Sequence, residues 1–132
     1  MIRCTSLKNV EFHAGPVYSV ARNISGFKSL SFFQPSAADL HNLAYGVYTP
    51  ERFVELCAIH IRQNTAAREW VFGLTDKTVT LVCVCPLERR RHGQCHLTAV
   101  ADFIREWRPD LLVVLDSDPV QKEPQDAWWT EY

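Results

Sequence analysis

At 132 residues, with 47% hydrophobic and 22% charged residues, the chain is one globular domain able to bury a core, not a disordered segment. A formal net charge of -1 gives no global attraction to nucleic acid or to an anionic membrane, so any anion site has to be local. No apolar run approaches the ~20 residues of a membrane span. The start, Met1-Ile2-Arg3-Cys4, lacks a signal-peptide pattern. Five cysteines, an odd number spread over helix-like and strand-like stretches, suit free thiols in a reducing, cytoplasmic setting.

Taken in order, Ile2 to Ser6 reads as a first strand and Leu7 to Gly15 as a loop. Val17 to Ala21 alternates and is β-rich, a second strand. Ile24 to Pro35 is irregular, yet Phe27, Leu30, Phe32 and Phe33 are too apolar for a free loop, so this stretch should fold over the core or over the site. Ser36 caps a short helix, Ala37 to Tyr45, which Gly46 ends. Thr49 caps the next, with Pro50 at its first position. There Phe53, Leu56, Cys57, His60 and Ile61 have the spacing of one buried face, which makes His60 a core histidine. A third helix around Ala66 to Phe72 offers Trp70 and Phe72 to the core, and Gly73 to Lys77 is a turn.

Thr78 to Val84 is a buried, β-branched strand stopped by Cys85-Pro86. A polar segment with Arg89, Arg90, Arg91 and His92 follows, and Cys95-His96 opens a helix running to Trp107. Arg108-Pro109-Asp110 breaks the chain before Leu111 to Leu115, an uninterrupted apolar run suited to a buried parallel strand. Asp116 to Pro119 end it. Residues 1–119 thus form the domain and 120–132 a polar tail whose Trp128 and Trp129 suit docking on the body, on a protein partner or on a second copy.

Strands alternating with helices predict a single-domain α/β fold, with a mostly parallel central sheet flanked by helices in a Rossmann-like arrangement. The strands Val79 to Val84 and Leu111 to Leu115 are expected to be neighbours in its centre, joined by the helix between them. Ligands bind such sheets beyond the carboxyl ends of the strands. That rule gathers Ser6, Arg22, Cys85 with its loop, and Asp116 at one edge.

Three stretches together resemble the DUF488 family, small α/β proteins whose biochemical activity is unsettled. They are Val17-Tyr18-Ser19-Val20-Ala21-Arg22, the helix start Tyr48-Thr49-Pro50-Glu51-Arg52-Phe53, and Val79 to Pro86 followed by Cys95-His96-Leu97. The resemblance covers roughly residues 1 to 107. It departs from the family pattern at Leu97, where an arginine is usual, and in a longer, more arginine-rich loop. It implies a fold and a site more than a reaction.

Several chemistries compete at that site. Cys85-x5-Arg91 has the spacing of cysteine phosphatases, in which a thiolate attacks phosphorus, but Pro86, Leu87 and Glu88 stand where small residues would let backbone approach phosphate, and Glu88 would repel an anion; a solvated charged loop is the better account of the pattern. Cys83, Cys85, Cys95, His92 and His96 are soft donors for zinc, but Cys-x-Cys on one strand face is poor ligand spacing, so no metal and no cofactor is expected. Cys95-His96 at the helix start is the strongest pair. A thiol there meets unpaired amides and the positive helix end, and the imidazole can act as acid or base; the plain alternative is a cap with both side chains packed.

Arg22, Arg89 and Arg91 supply fixed charge for a phosphate or carboxylate. Asp116 and Asp118 could hold Mg²⁺ or a sugar hydroxyl, but loop carboxylates that end the strand and form a turn with Pro119 are the better account. The expected function is binding of a small anionic ligand, a nucleotide or phosphorylated metabolite, at the carboxyl edge, with Cys95 and His96 as the reactive groups if there is turnover. The rivals are a non-catalytic sensing, sequestering or interaction protein, and nucleic-acid binding through the Arg89 to His92 loop, which the near-neutral charge disfavours.

Overall fold

A computed structural model describes residues 1–6, 16–21, 26–75, 77–83 and 95–115. Its centre is a five-stranded sheet built from β1 (Ile2–Ser6), β2 (Val17–Ser19), β3 (Lys28–Ser29), β4 (Val79–Cys83) and β5 (Val113–Leu115), in the order β3-β2-β4-β1-β5. Every pairing is parallel, with Ile2 opposite Val79 and Val113, and Tyr18 opposite Leu81. The helices are α1 (Ala37–Ala44), α2 (Pro50–Arg62), α3 (Thr65–Phe72) and α4 (His96–Trp107). This is the α/β class that the alternation of strands and helices predicts.

One expectation about that sheet is corrected. β4 and β5 share the sheet and run parallel, but β1 lies between them and β5 sits at the edge. The central pair is β4 and β1. β4 is buried along its whole length, as a strand covered on both sides must be, and Ile2, Cys4 and Thr5 of β1 are buried beside it.

The pleat sends alternate residues to opposite faces. Ile2, Cys4, Val79, Leu81, Cys83, Val113 and Leu115 join the apolar sides of the helices in one core, with Phe53, Cys57 and Ile61 of α2 and Leu97, Val100 and Ile104 of α4. Full burial of each such Leu, Ile or Phe contributes about 1.5–3 kcal/mol. The other face carries Arg3, Thr5, Thr80 and Ser19, of which Thr5, Thr80 and Ser19 are fully buried. Burial pushes the Arg3 guanidinium down from its ordinary pKa.

The helix caps follow local chemistry. Ser36 Oγ accepts from Asp39 N at 3.0 Å, and Thr49 Oγ1 accepts from Arg52 N at 3.1 Å with Pro50 beside it. Gly46, just past α1, has φ +75°, a left-handed turn that other residues enter only with strain. The start of α3 is one residue earlier than predicted, because Asn64 Oδ1 accepts from Ala66 N and Ala67 N.

Two core assignments fail. His60 is not in the core: its side chain is 55% exposed, with Nδ1 3.4 Å from Oδ2 of the buried Asp39 on α1. The buried line of α2 is Phe53, Cys57 and Ile61, a narrower arc than the predicted face. In α3, Phe72 is 56% exposed and its neighbour Val71 is buried. Trp70 packs as expected, edge-on to Tyr18 and Phe33 with centroids 5.9 and 5.5 Å away.

The apolar part of the irregular stretch does cover the core. β3 adds two residues to the sheet beside β2, and a single 3-10 turn, Ser31–Phe33, buries Leu30 and Phe33.

Arg108 also acts as a strut. One terminal nitrogen donates to the carbonyls of Val71, Phe72 and Leu74 at 3.0, 3.2 and 2.9 Å, which satisfies the end of α3. Its other nitrogens hold Asp110 through two bonds of 3.0 and 2.9 Å. That guanidinium keeps the Asp110 carboxyl below its ordinary pKa. Arg108→Met, which keeps the stem and removes the donors, should cost roughly 2 kcal/mol in urea unfolding, since several charge-assisted bonds disappear together. Asp110→Asn should cost far less, because that carboxylate is exposed. Equal losses would place the value of Arg108 in the ion pair instead.

Candidate functional site

The chain leaves β1 toward β2, beyond β4, and leaves β4 toward β5, beyond β1. Two adjacent strands are thus departed in opposite directions, the topological switch point at whose carboxyl ends parallel sheets bind ligands. Ser6 and Cys83 face each other there in register. Just beyond stands the start of α4.

Cys95 is the N-cap of α4, its Sγ accepting from Leu97 N at 3.4 Å. It is fully buried and its sulfur lies 3.7 Å from Cys83 Sγ. His96 is 4% exposed and sends Nε2 to the carbonyl of Val20, just past β2, at 2.7 Å. A carbonyl only accepts, so Nε2 carries the proton. In the neutral ring Nδ1 is then the lone-pair nitrogen. It faces Cys95 Sγ at 4.0 Å. The next turn of backbone is fixed by Ser19, whose Oγ donates to Ala21 O at 2.9 Å.

The result is a chain of contacts from β4 through two sulfurs and an imidazole to the end of β2. Chemically it offers a proton acceptor beside a thiol at a helix N-terminus, where amides favour negative charge on sulfur. It also has a plain structural content, since the thiol caps a helix and the imidazole ties α4 to the segment after β2.

Of the predicted site residues, the structure brings Cys95 and His96 together at the carboxyl edge. Arg22, Cys85, Arg89, Arg91 and Asp116 lie outside the described residues, as do Trp128 and Trp129. One participant was not singled out from sequence: the carbonyl of Val20 carries no residue-type signal. Cys83 is among the candidate zinc donors in the sequence, and its place as last residue of β4 is what sets it beside Cys95. Among the described residues no group of three or more His, Cys, Asp or Glu is placed to hold a metal ion. No described helix is long and apolar enough to cross a membrane.

A separate open groove of about 340 Å³ lies at the opposite edge, lined by Pro16, Tyr18, Trp70, Leu74, Lys77 and Val79. It borders the starts of β2 and β4, not their ends, so the switch-point rule does not favour it.

No protein-family model matches the chain, and no curated protein or solved structure matches it. The resemblance to DUF488 therefore rests on the quoted stretches alone, and the class defined by the coordinates is a parallel α/β domain with a Cys-His pair at its switch point.

Proposed function

We propose that this is a DUF488-type cytoplasmic domain that binds a small anionic ligand, a nucleotide or phosphorylated metabolite, at the carboxyl edge of β1 and β4. The observation that carries the reading is the start of α4 standing at the switch point, with its first-turn amides and Cys95 there. Thr98 Oγ1 in the same turn is buried with no hydrogen-bond partner, which suits a site whose ligand supplies one. Arg22, Arg89 and Arg91 are the charges assigned to the anion, and Asp116 to a hydroxyl, by their places in sequence.

A second reading has its own support. Cys95 Sγ already accepts from Leu97 N, and His96 Nε2 is occupied by the Val20 carbonyl. In this reading the cap and the strut are the whole part these two groups play toward the ligand, which would be sensed or sequestered unchanged.

A thermal-shift screen of nucleotides and sugar phosphates tests the proposal. A true ligand at ~100 times its dissociation constant should add roughly 2.7 kcal/mol. Arg22→Ala and Arg91→Ala should each abolish most of the shift and leave the unliganded melting temperature in place. Full response in both variants would move the site elsewhere. If a bound compound is recovered unaltered after prolonged incubation, the sensing reading stands and the enzymatic one falls.

A further inference from the structure

The two sulfurs at the end of β4 and the start of α4 carry a chemistry independent of any anion. Cys83 and Cys95 are twelve positions apart in sequence, both fully shielded, with Sγ atoms 3.7 Å from each other. Van der Waals contact of this kind needs a closure of only ~1.7 Å to reach a disulfide bond of about 2.05 Å. Both residues stand at the ends of their elements, where side-chain rotation and a small backbone shift accomplish that. The two sulfurs also differ in surroundings. Cys95 Sγ receives the Leu97 amide at the helix start and has His96 Nδ1 at 4.0 Å, so it is the sulfur fitted to lose its proton.

We propose that Cys83 and Cys95 form a redox-active pair that hydrogen peroxide converts to an intramolecular disulfide. Cys95 gives its proton to His96 Nδ1, and the thiolate attacks one peroxide oxygen. The O–O bond breaks and an S–O bond forms; the departing hydroxide takes up a proton and leaves as water. Cys83 then attacks the sulfur of the resulting sulfenic acid. The S–S bond forms as the S–O bond breaks, and the second hydroxide leaves as water with the Cys83 proton. Two thiols and one peroxide thus give one disulfide and two waters. The shielding of both sulfurs is the reason the oxidant is a molecule as small as peroxide.

A shared zinc ion is the competing account, because two thiolates on one tetrahedral zinc also sit ~3.8 Å apart, given Zn–S bonds near 2.3 Å. Among the described residues no group of three or more His, Cys, Asp or Glu is placed to hold a metal ion, and the zinc content of the untreated protein separates the two accounts.

The experiment treats the full chain, purified in reductant and then freed of it, with a small excess of hydrogen peroxide. Titratable thiols in denaturant should fall from five to three and return with dithiothreitol. Digestion without reduction should yield a peptide linking Cys83 to Cys95. Cys85→Ala should oxidise as the parent does. Cys83→Ala should form no disulfide and should instead trap dimedone at Cys95, a readout that does not require the disulfide to form. If five thiols persist, if the linked peptide joins Cys95 to Cys85, or if the untreated protein holds about one zinc per chain, the pair is not what we propose.

Discussion

Replacing Phe33 with alanine should lower the free energy of unfolding by about 3–5 kcal/mol, the cost of deleting a buried phenyl ring. Phe33 is 1% exposed and ends the 3-10 turn after β3. Its ring lies edge-on to Trp70 at 5.5 Å and to Phe103 of α4 at 6.2 Å. One side chain therefore joins the turn, α3 and α4, and the space it leaves is walled by large rings that cannot collapse into it. Urea titration should show a lower midpoint with an unchanged slope, the sign of lost stability and not of a changed unfolded state. Phe72→Ala is the internal control. That ring is 56% exposed and touches Trp107 edge-on at 5.5 Å, so its loss should stay near 1 kcal/mol or below. A larger loss at Phe72 than at Phe33 would mean that the exposed aromatic pair, not the buried cluster, holds these helices.

The contrast between those two phenylalanines also shows what a sequence can and cannot convey. Caps are local chemistry, so Ser36, Thr49 with Pro50, and Cys95 at the start of α4 were legible, as was Gly46 past α1. The buried run at Val79 was legible because a strand covered on both faces shows little polar alternation, whereas Ile2 to Ser6, which alternates apolar and polar residues, was legible only as a short strand. Phe72 was misread because α3 spans only eight residues, too short for periodicity to tell Val71 from its neighbour. His60 was misread because i+7 spacing includes residues at the margin of a helical face, and only the packing of α1 decides that Asp39, not the core, meets it. Strand order depends on which strand inserts where. The length of the β4-to-β5 connection allows a crossover but does not say that it passes over β1. β3, at two residues, has no pattern to read. Arg108 looked like a chain break because its partners at the end of α3 lie more than thirty positions away. At the site, residue type and position pointed to Cys95 and His96, but the Val20 carbonyl that orients the imidazole is set by the fold alone.

That orientation makes His96 the second site of large expected effect. His96→Ala removes the donor to Val20 O and leaves a buried carbonyl bare, which costs about 1–3 kcal/mol. It also opens a cavity among Cys95, Leu97 and the end of β2, adding ~1–2 kcal/mol. The total should be roughly 3–4 kcal/mol in urea unfolding. His96→Leu separates the parts, because leucine fills much of the volume but donates nothing. It should recover the cavity share and keep the loss from the unpaired carbonyl. Nitrogen NMR of the parent should find the neutral ring protonated on Nε2, as a 2.7 Å approach to a carbonyl requires. Protonation on Nδ1 instead would place a donor toward Cys95 and overturn both the strut and the proton-acceptor role. The two roles separate further with ligand in hand. If His96→Leu folds, melts lower and still gains the parent's full ligand shift, His96 supports the edge of the sheet without touching what binds there. If it folds and gains nothing, the imidazole is part of the binding site, and the hydrogen bond to Val20 is what aims it.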